Sequence, residues 1–391
     1  GYTGLNAALH AAREGLTTLV LDAEAAGWGC STRNGGQVST SVKPGFSELE
    51  RRYGGDTATA ILKEGQASLD YMHRLVGDER LDCDFREVGR FHGAHLPRLY
   101  DKLALECAAG HPVWKTDAFM VPKEEMASEL GTDAYHGGMV FPRHCTIDVG
   151  KYHPALLKRV MEAGAYMQGH SPVVSIERLE RGFEVRTQHR RFKAGKVILA
   201  TNGYSGPLSP YHRRRIIPIG SYVIATEEIP TALMDRLFPT DRVISDTRKL
   251  VYYYRVSPDR KRVLFGGRVS LNETDPRKSA VKLHRDMVAL FPELRDVRIS
   301  HSWMGFVGYT FDTLAHCGED KGLFYAMGYC GSGVGMASYL GMRMGLKAAE
   351  READPSAFEK ISFPTRPLYS GSPWFLAPSV LVYRLRDKFG I

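Results

Sequence analysis

The first 22 residues of the chain, GYTGLNAALHAAREGLTTLVLD from Gly1 to Asp22, decide the fold. Gly1 and Gly4 match the last two glycines of the pattern G-x-G-x-x-G. The Ala-rich segment that follows predicts a helix that ends at Gly15, and residues 16–21 predict a short apolar strand that Asp22 closes. Glycines at such a helix start let backbone N–H groups approach a pyrophosphate, and an acid about 20 residues further on accepts bonds from a ribose hydroxyl. The stretch therefore predicts adenine dinucleotide binding; the alternative is an ordinary tight turn before an Ala-rich helix.

The same pattern normally begins with a strand and an earlier glycine, and neither stands before Gly1. In this fold class the first strand lies inside the parallel sheet. Without it, residues 16–21 would lack a neighbour and leave ladder groups unpaired. We therefore expect the sequence to be part of a longer chain, and a polypeptide that starts at Gly1 to bind its dinucleotide poorly.

A second glycine-rich loop spans residues 27–37 and ends in Arg33-Asn34-Gly35-Gly36-Gln37. The paired glycines permit backbone conformations that other residues avoid, which would let the chain pass close to a flat ring. The guanidinium of Arg33 offers a forked cation to a carboxylate or to electron-rich ring atoms. The alternative interpretation is a solvated loop.

A third glycine cluster, Gly331-Ser332-Gly333-Val334-Gly335, stands between an apolar strand at residues 323–327 and a predicted helix that runs to about Glu350. Backbone N–H groups at that helix start are placed to face an anion. The alternative is that the glycines only allow helix and sheet to pack closely. Gly341 and Gly345, four residues apart, are expected to bring this helix close to a neighbour.

Strand patterns divide the chain into two kinds of sheet. The aliphatic runs at residues 197–200 and 323–327 are typical of parallel strands that are buried on both faces. From residue 216 onward the pattern changes to alternating apolar and polar residues, at 221–226, 251–256, 263–269 and 300–306. Such alternation predicts a mostly antiparallel sheet with one face free to line a cavity.

We therefore predict an α/β fold of the α+β two-domain kind, with a Rossmann-like dinucleotide-binding domain and a substrate domain built on the mostly antiparallel sheet. The dinucleotide-binding domain is predicted to be discontinuous, at residues 1–45, 145–215 and 315–365. The substrate domain is predicted at residues 46–144 and 216–314, followed by a C-terminal tail at residues 366–391. A binding pocket is expected where the two domains meet.

Composition narrows the class of protein. A chain of 391 residues that is 43% hydrophobic is long enough for two domains with a sizeable core. The net charge of +8 is spread along the chain. We interpret it as solvated loops plus attraction for an anionic cofactor and substrate, and not as a nucleic-acid surface. No run of 18 apolar residues is present, so no transmembrane span is predicted.

Cysteine and histidine spacing predicts neither disulfides nor a metal site. The six cysteines, Cys30, Cys83, Cys107, Cys145, Cys317 and Cys330, form no CxxC pair, and the fourteen histidines show no ligand spacing. Isolated thiols are typical of a reducing compartment, so we expect a cytoplasmic protein.

The aromatic run Tyr252-Tyr253-Tyr254-Arg255 lies on one of the alternating strands. Tyr252 and Tyr254 share one face of the strand, and Tyr253 and Arg255 share the other. One pair is expected to face the pocket, with core packing as an equal alternative. Arg268, Trp303, Tyr309 and Cys330 are further pocket candidates.

In pattern and order, the chain resembles the D-amino-acid oxidase-like family of FAD-dependent oxidoreductases, and within it the γ-glutamylputrescine oxidase-like branch. The resemblance extends over nearly the whole length. The segments that carry it are Gly1–Gly4, Val20–Asp22, Gly27–Gln37, Ala200–Tyr204, Pro218–Tyr222 and Ala326–Gly335.

The resemblance implies FAD as the cofactor, bound in the dinucleotide domain. Gly1, Gly4 and Asp22 would hold the ADP half, and Val174 would offer backbone bonds to adenine. Further cofactor contacts within the matching segments are implied for Thr3, Ser31, Arg33, Asn34, Gly35, Gly36, Gln37, Thr201, Asn202 and Gly203. Gly331, Gly333, Val334 and Gly335 would lie along the N1–O2 edge of the flavin.

Two departures from relatives of the sarcosine oxidase kind affect the chemistry. Those relatives attach FAD to a cysteine before a Tyr-Thr pair, whereas residues 305–310 here contain no thiol and Cys317 comes too late. The flavin is therefore expected to be non-covalent. Those relatives also carry a lysine over the flavin that aids the reaction with oxygen. The corresponding strand, residues 263–268, has no lysine and ends in Arg268, so the electron acceptor stays open.

The reaction expected from this resemblance is oxidation of a C–N bond in an amine or amino acid, with γ-glutamyl-polyamine-like substrates as one possibility. Hydride would pass from the α-carbon to flavin N5, and the imine would then hydrolyse. Arg33, Tyr252, Tyr254, Arg268 and Trp303 are the predicted substrate contacts, and O2 or another acceptor would take the electrons. The alternatives are a dehydrogenase that passes electrons to a quinone or carrier, and a non-catalytic FAD-binding protein. A nicotinamide-dependent enzyme fits less well, because it would leave the second and third glycine clusters without a task.

Overall fold

The computed structural model describes residues 1–40, 42–110, 117–267, 275–352 and 354–389. The helices are α1 (Tyr2–Arg13), α2 (Phe46–Tyr53), α3 (Gly55–Asp78), α4 (Pro97–Ala109), α5 (Val149–Glu162), α6 (Pro210–Arg213), α7 (Thr231–Leu237), α8 (Pro276–Leu290), α9 (Gly333–Ala348) and α10 (Leu376–Phe389).

The strands are short and belong to several sheets. They are β1 (Leu19–Leu21), β2 (Gln37–Val38), β3 (Arg86–Glu87), β4 (Arg90–Gly93), β5 (Phe119–Val121), β6 (Gly138–Phe141), β7 (Cys145–Thr146), β8 (Tyr166–Gln168), β9 (Val173–Arg178), β10 (Phe183–Thr187), β11 (Arg191–Ala194), β12 (Val197–Leu199), β13 (Ile217–Thr226), β14 (Val243–Asp246), β15 (Tyr253–Val256), β16 (Val263–Gly267), β17 (Ile299–Tyr309), β18 (His316–Asp320) and β19 (Leu323–Met327).

Helices α1 and α9 form the centre of the first core, although they stand at opposite ends of the sequence. Their backbones touch at two glycines of α9. A Cβ on Gly341 would lie 2.4 Å from the Thr3 carbonyl oxygen, and one on Gly345 would lie 2.3 Å from that of Ala7. The expectation that these glycines allow close packing is confirmed. Around this contact, the apolar faces of α3 and α5 complete the core.

Short parallel strands flank α1. β1 pairs in parallel with β8, and β12 pairs in parallel with β19, which continues to β18. Among the strands that the structure describes, β1 bonds only to β8 and β12 only to β19, and α1 contacts both β1 and β12. These parallel pairs at the start, middle and end of the chain fit the predicted Rossmann-like arrangement.

The large sheet has eight strands in the order β17-β13-β16-β15-β14-β4-β6-β5. Every neighbouring pair is antiparallel except β14 and β4. One face packs on α7 and α8 in a second core that contains Tyr254, Phe265 and Phe291. The mixed α/β fold and the mostly antiparallel sheet are confirmed.

The structure corrects one part of the domain division. Residues 46–144 were predicted to lie together in the substrate domain. Helices α2 and α3 instead pack in the first core, because α3 presents apolar side chains such as Ile61 and Met72 to it. Strands β4 to β6 belong to the large sheet. The other domain boundaries stay predictions.

The C-terminal segment, predicted as a tail, contains helix α10. The Asp387 carboxylate on this helix accepts hydrogen bonds from the backbone N–H groups of Lys249 at 2.7 Å and Leu250 at 3.1 Å. Helix α10 is thereby tied to the segment between β14 and β15. Across the described ranges, no helix combines the length and the apolar character needed to cross a membrane.

Gly345→Ala should destabilise the protein, because the new methyl group would meet the Ala7 carbonyl oxygen and force α1 and α9 apart. Overpacking of this kind typically costs 1–3 kcal/mol, so we expect the free energy of unfolding to fall by about 2 kcal/mol. Denaturant titration measures this change. Gly77→Ala in α3 is the matched control, because a Cβ there meets nothing within 4 Å. It should be neutral or stabilise by up to about 1 kcal/mol. Equal effects of the two variants would contradict the close contact.

Candidate active site

One large cleft separates the first core from the open face of the large sheet. Its volume is about 3090 Å³, several times that of a typical small-molecule pocket. The starts of α1 and α9 and the loop at residues 27–37 line one side. Strands β13 and β15, the start of β4 and helix α10 line another side, and residues of β1, α4, β9, β11 and β12 also line the cleft. The cleft therefore has room for a large cofactor and a substrate side by side.

Two helix N-termini face this cleft without a cap of their own. Gly1 caps α1 and Ser332 caps α9, and neither makes a side-chain capping hydrogen bond. Neither helix has an acidic residue in its first turn. At the start of α1 the Tyr2 N–H donates to the Ser31 hydroxyl at 3.4 Å. The other N–H groups of the two first turns have no side-chain acceptor among the described residues, and each helix start carries a partial positive charge. Such a pair fits a ligand with a pyrophosphate at one point and an electron-rich ring edge at another.

The loop at residues 27–37 is held in place by its own polar groups. The Asn34 amide donates to the carbonyl oxygens of Cys30 at 3.0 Å and Ser31 at 3.1 Å, and its oxygen accepts from the Gly36 N–H at 2.9 Å. The Arg33 guanidinium lies over the Trp28 ring, 4.7 Å from its centre. This loop is a rigid wall of the cleft, with Arg33 exposed to it.

The large sheet meets that wall at Tyr253. A Cβ on Gly35 would lie 3.1 Å from the Tyr253 ring, and the Tyr253 hydroxyl lies 2.9 Å from the Ser221 hydroxyl. Burial raises the pKa of Tyr253 to about 12. The phenol is therefore neutral at physiological pH.

From Tyr253 a row of polar side chains continues across the sheet. Ser245 on β14 is in register with Tyr253 on one side and with His92 on β4 on the other. The Ser245 hydroxyl lies 2.8 Å from His92 Nδ1. Burial, with a smaller effect of the Arg90 charge, lowers the pKa of His92 to about 3, so that this ring is neutral.

A buried ion pair lies next to this row. Asp246 contacts the Arg248 guanidinium and accepts a hydrogen bond from the Tyr252 N–H at 3.2 Å. Burial raises the pKa of Asp246 to about 6, and the Arg248 charge opposes that shift. The pair fixes the segment that leads from β14 into β15.

Comparison with known proteins matches the arrangement to one family. Residues 1–345 match the family model described as DAO, FAD dependent oxidoreductase. The chain belongs to this family. It is therefore a member of a class of FAD-dependent oxidoreductases, which confirms the family that the sequence resembled and the cofactor which that resemblance implied.

Two relatives of this DAO family member are similar to it over its full length. The probable oxidoreductase OrdL of Rhizobium meliloti is 30% identical over 400 residues, which cover 100% of this chain and 91% of that protein. The gamma-glutamylputrescine oxidoreductase of Escherichia coli is 29% identical over 404 residues, which cover 100% and 92%. The crystal structure of glycine oxidase from Geobacillus kaustophilus has the same fold, with a TM-score of 0.74 at 18% identity and coverage of 94% and 96%.

Most of the residues predicted to hold FAD lie together in the cleft. Those that line it are Gly1, Thr3, Gly4, Asp22, Ser31, Arg33, Asn34, Gly35, Gln37, Val174, Thr201, Asn202, Gly331, Gly333 and Val334. The uncapped helix starts and the bare glycines fit the anionic and planar parts of FAD. The individual contacts to FAD stay predictions.

Three glycines that were predicted to bind the cofactor pack against other parts of the protein and do not line the cleft. Gly36 has a φ of +66°, and a Cβ there would lie 2.2 Å from the Ile147 carbonyl oxygen. A Cβ on Gly203 would lie 3.0 Å from the Phe306 carbonyl oxygen, against β17. Gly335 faces α3. These glycines permit close packing behind the cleft and do not line it.

The expectation that Tyr252 and Tyr254 face the substrate is wrong. Tyr254 is buried in the second core, where its ring stacks on Phe265 at 5.3 Å and its hydroxyl donates to the Tyr135 hydroxyl at 3.1 Å. Tyr252 packs against the same Phe265 ring. As predicted, Tyr252 and Tyr254 share one face of the strand and Tyr253 lies on the other. Tyr253 faces the cleft, because the face with Tyr252 and Tyr254 packs on α8.

The remaining substrate candidates have different outcomes. Trp303 does not line the cleft; its indole N–H donates to the Arg33 carbonyl oxygen at 2.9 Å and supports the loop wall from behind. Arg33 and Tyr309 line the cleft, whereas Cys330 is buried beside Thr310. Arg268 lies outside the described residues.

Cysteine placement supports non-covalent FAD, which stays a prediction. Cys317 is buried in the first core and does not line the cleft. Cys30 does line it, and burial raises the pKa of its thiol, which keeps the thiol protonated.

Lys43 and Arg90 are two of the cations lining the cleft that sequence reasoning missed. Lys43 Nζ donates to the Tyr309 hydroxyl at 2.8 Å and lies 3.9 Å from the position of a Cβ on Gly331. Arg90 lines the far part of the same sheet face as His92. Lys43 stands in a loop without a motif and Arg90 on a short strand, so that neither carries a sequence signal.

Folding also assembles a group of potential metal ligands that the sequence did not indicate. His73 Nε2 lies 3.5 Å from a Glu87 carboxylate oxygen and 3.3 Å from Cys145 Sγ. The three residues come from α3, β3 and β7, and none of them lines the cleft. Because the three residues are far apart in the sequence, their spacing does not match any metal-ligand motif.

His92→Asn should flatten the acid side of the stability profile. The pKa of His92 is about 3 in the folded protein, below the ordinary value of 6.5. As the pH falls below 6.5, His92 therefore becomes protonated in the unfolded chain but stays neutral in the folded protein. His92 therefore lowers the free energy of unfolding by about 1.4 kcal/mol for each unit by which the pH falls towards 4. The variant keeps a partner for Ser245 and should lose that slope when unfolding is measured from pH 7 to 4. The exposed His189→Asn is the control, and equal slopes in all three proteins would contradict the buried neutral ring.

Proposed function

We propose that the chain oxidises the C–N bond of an amine or amino acid, with γ-glutamyl derivatives of polyamines as the first substrates to test. The observation that carries the proposal is the meeting of the two cleft walls at Gly35 and Tyr253. This contact puts the open sheet face directly beside the loop predicted to hold FAD. The γ-glutamyl class is supported by the full-length similarity to an enzyme named gamma-glutamylputrescine oxidoreductase.

The side chains at this junction bind and orient, and do not act as a base. Tyr253 is a neutral phenol held by Ser221, and His92 is a neutral ring held by Ser245. An amine that enters as the free base needs no further proton removal at nitrogen before its C–H bond reacts. When bound, FAD would supply the hydride acceptor, so that the amine is oxidised to an imine, which water then hydrolyses to a carbonyl compound and an amine or ammonia. The rigid loop wall and the aromatic ring of Tyr253 hold the reacting carbon and exclude water from it.

The rate of flavin reduction should rise with pH up to the pKa of the substrate amine, by about tenfold per pH unit, since only the free base reacts. Anaerobic stopped-flow absorbance with γ-glutamylputrescine and a panel of amines and amino acids, on FAD-loaded protein, measures this rate. A flat profile between about pH 6 and 10 would count against the mechanism. Absence of bleaching by any amine would favour the non-catalytic FAD-binding alternative.

We further propose that O2 is the electron acceptor and that Lys43 assists it. No lysine was found on the strand where relatives of the sarcosine oxidase kind carry one, but Lys43 supplies an ammonium group to the cleft from the loop before α2. Transfer of electrons to O2 builds negative charge, which a positioned cation stabilises. Two electrons and two protons convert O2 to hydrogen peroxide.

Lys43→Met should slow reoxidation by O2 by at least about tenfold and change anaerobic reduction by the amine much less. Lys43→Arg keeps the charge and is the matched variant, which should retain most of the oxygen reactivity. Stopped-flow mixing of reduced enzyme with aerated buffer, together with peroxide release, measures the effect. If the unmodified protein releases no peroxide but reduces a quinone analogue, the dehydrogenase alternative replaces the oxidase.

A further inference from the structure

Arg90 is a cation in the cleft that has neither a counter-charge nor a hydrogen-bond acceptor among the residues that the structure describes. It stands on β4, and its guanidinium lies over the Phe141 ring, 4.6 Å from the ring centre. Among the described residues it makes no ion pair, and its Nε has no hydrogen-bond partner. Burial alone lowers the pKa of Arg90 to about 10, with no carboxylate to oppose the shift. The side chain remains charged at neutral pH, and its charge is not compensated.

Other enclosed arginines of this chain are compensated. Arg242 pairs with the Glu129 carboxylate at 2.5 Å, and Arg343 pairs with Glu352 at 2.5 Å. Arg255 donates to the Ile147 carbonyl oxygen at 3.0 Å and also contacts the Thr146 hydroxyl. Withdrawing a charge from water is costly unless a counter-charge or hydrogen-bond acceptors replace the water. Arg90 therefore differs from these arginines in lacking a partner of either kind.

No carboxylate among the described residues acts on Arg90. The ionisable groups that its charge affects are His92 and His144, and burial together with the Arg90 charge lowers the pKa of each of them. Both rings are therefore neutral at physiological pH. An acceptor for Arg90 has to come from the cleft itself.

We propose that Arg90 binds the carboxylate of the substrate, at the end of the molecule opposite to the reacting amine. The inference rests on the proposed function, because it assumes that the amine reacts at the junction of Gly35 and Tyr253. A planar guanidinium matches a carboxylate with two parallel hydrogen bonds, which makes this anion the natural partner of an unpaired arginine.

Sheet geometry fixes the length of the substrate. Tyr253, Ser245 and His92 are in register on three adjacent strands, and Arg90 lies two residues before His92 on the same face. Neighbouring strands are about 4.8 Å apart, and two residues along a strand span about 6.8 Å, so the Arg90 and Tyr253 backbones are roughly 12 Å apart. A chain of about 8 to 10 bonds between amine and carboxylate spans this distance.

The substrate class is therefore a long ω-amine that ends in a carboxylate. An α-amino acid, whose amine and carboxylate share one carbon, cannot reach both ends of the cleft. A γ-glutamyl amide of a diamine has both groups at a suitable separation.

Arg90→Met tests the assignment with a pair of substrates. γ-Glutamylputrescine and its α-carboxamide have the same length and the same amine and differ in one negative charge. We expect the variant to lower kcat/KM by roughly 10- to 100-fold for the carboxylate, and by less than about threefold for the carboxamide. Arg90→Lys should fall between the two proteins on the carboxylate. Equal losses on both substrates would overturn the proposal.

Arg295→Met is the matched control, because Arg295 is an exposed arginine outside the cleft. It should leave both substrates unaffected. Thermal unfolding separates binding from a structural role: loss of an uncompensated buried charge should leave the melting temperature of Arg90→Met unchanged or raise it. A marked fall would show that Arg90 supports the fold, and would count against the proposal.

A binding measurement distinguishes failure of this proposal from failure of the proposed function. A linear dicarboxylate of the same length has no amine to oxidise, and its binding is followed by the visible spectrum of bound FAD. Binding that is lost in Arg90→Met supports the carboxylate site even if no amine bleaches the flavin. If amines bleach the flavin but Arg90→Met changes neither dicarboxylate binding nor substrate preference, the oxidoreductase proposal stands and the Arg90 assignment falls.

Discussion

The contact between the backbones of α1 and α9 is the constraint on which the site depends. Gly341 and Gly345 let the two helices touch at the carbonyl oxygens of Thr3 and Ala7. Because the helices are this close, their uncapped starts open into the same cleft. Both helix starts carry a partial positive charge, and neither first turn has an acidic side chain to offset it. An anionic dinucleotide bound as predicted would offset both charges.

Local stretches of sequence predicted the parts of the fold that local chemistry determines. The segment from Gly1 to Asp22 and the cluster at residues 331–335 each combine a strand, a turn and a helix within a few residues, so their structure and their ligand could be predicted together. The alternation from Tyr252 to Arg255 predicted which side chains share a face. It did not predict which face meets the cleft, because that depends on where α8 packs.

The residues that sequence reasoning missed owe their role to distant neighbours. The role proposed for Lys43 depends on Tyr309 and Gly331 beside it, and the role proposed for Arg90 depends on the lack of a negative charge near it among the described residues. The predictions for individual glycines failed in part for a related reason. Gly36 and Gly35 are adjacent and identical, yet one meets the Ile147 backbone and the other meets the Tyr253 ring. A sequence shows that a close approach occurs, but not which partner approaches.

The pairing of the first helix with the ninth also determines when the protein can fold during synthesis. Helix α1 ends at Arg13, whereas α9 does not begin until Gly333. The apolar side of α1 therefore stays without α9, its main packing partner, while more than 300 further residues are made. Contacts between residues so distant in sequence form slowly. The emerging chain has to be shielded from aggregation over that interval. If FAD is held at both helix starts, as predicted, it can be bound only after α9 has been made.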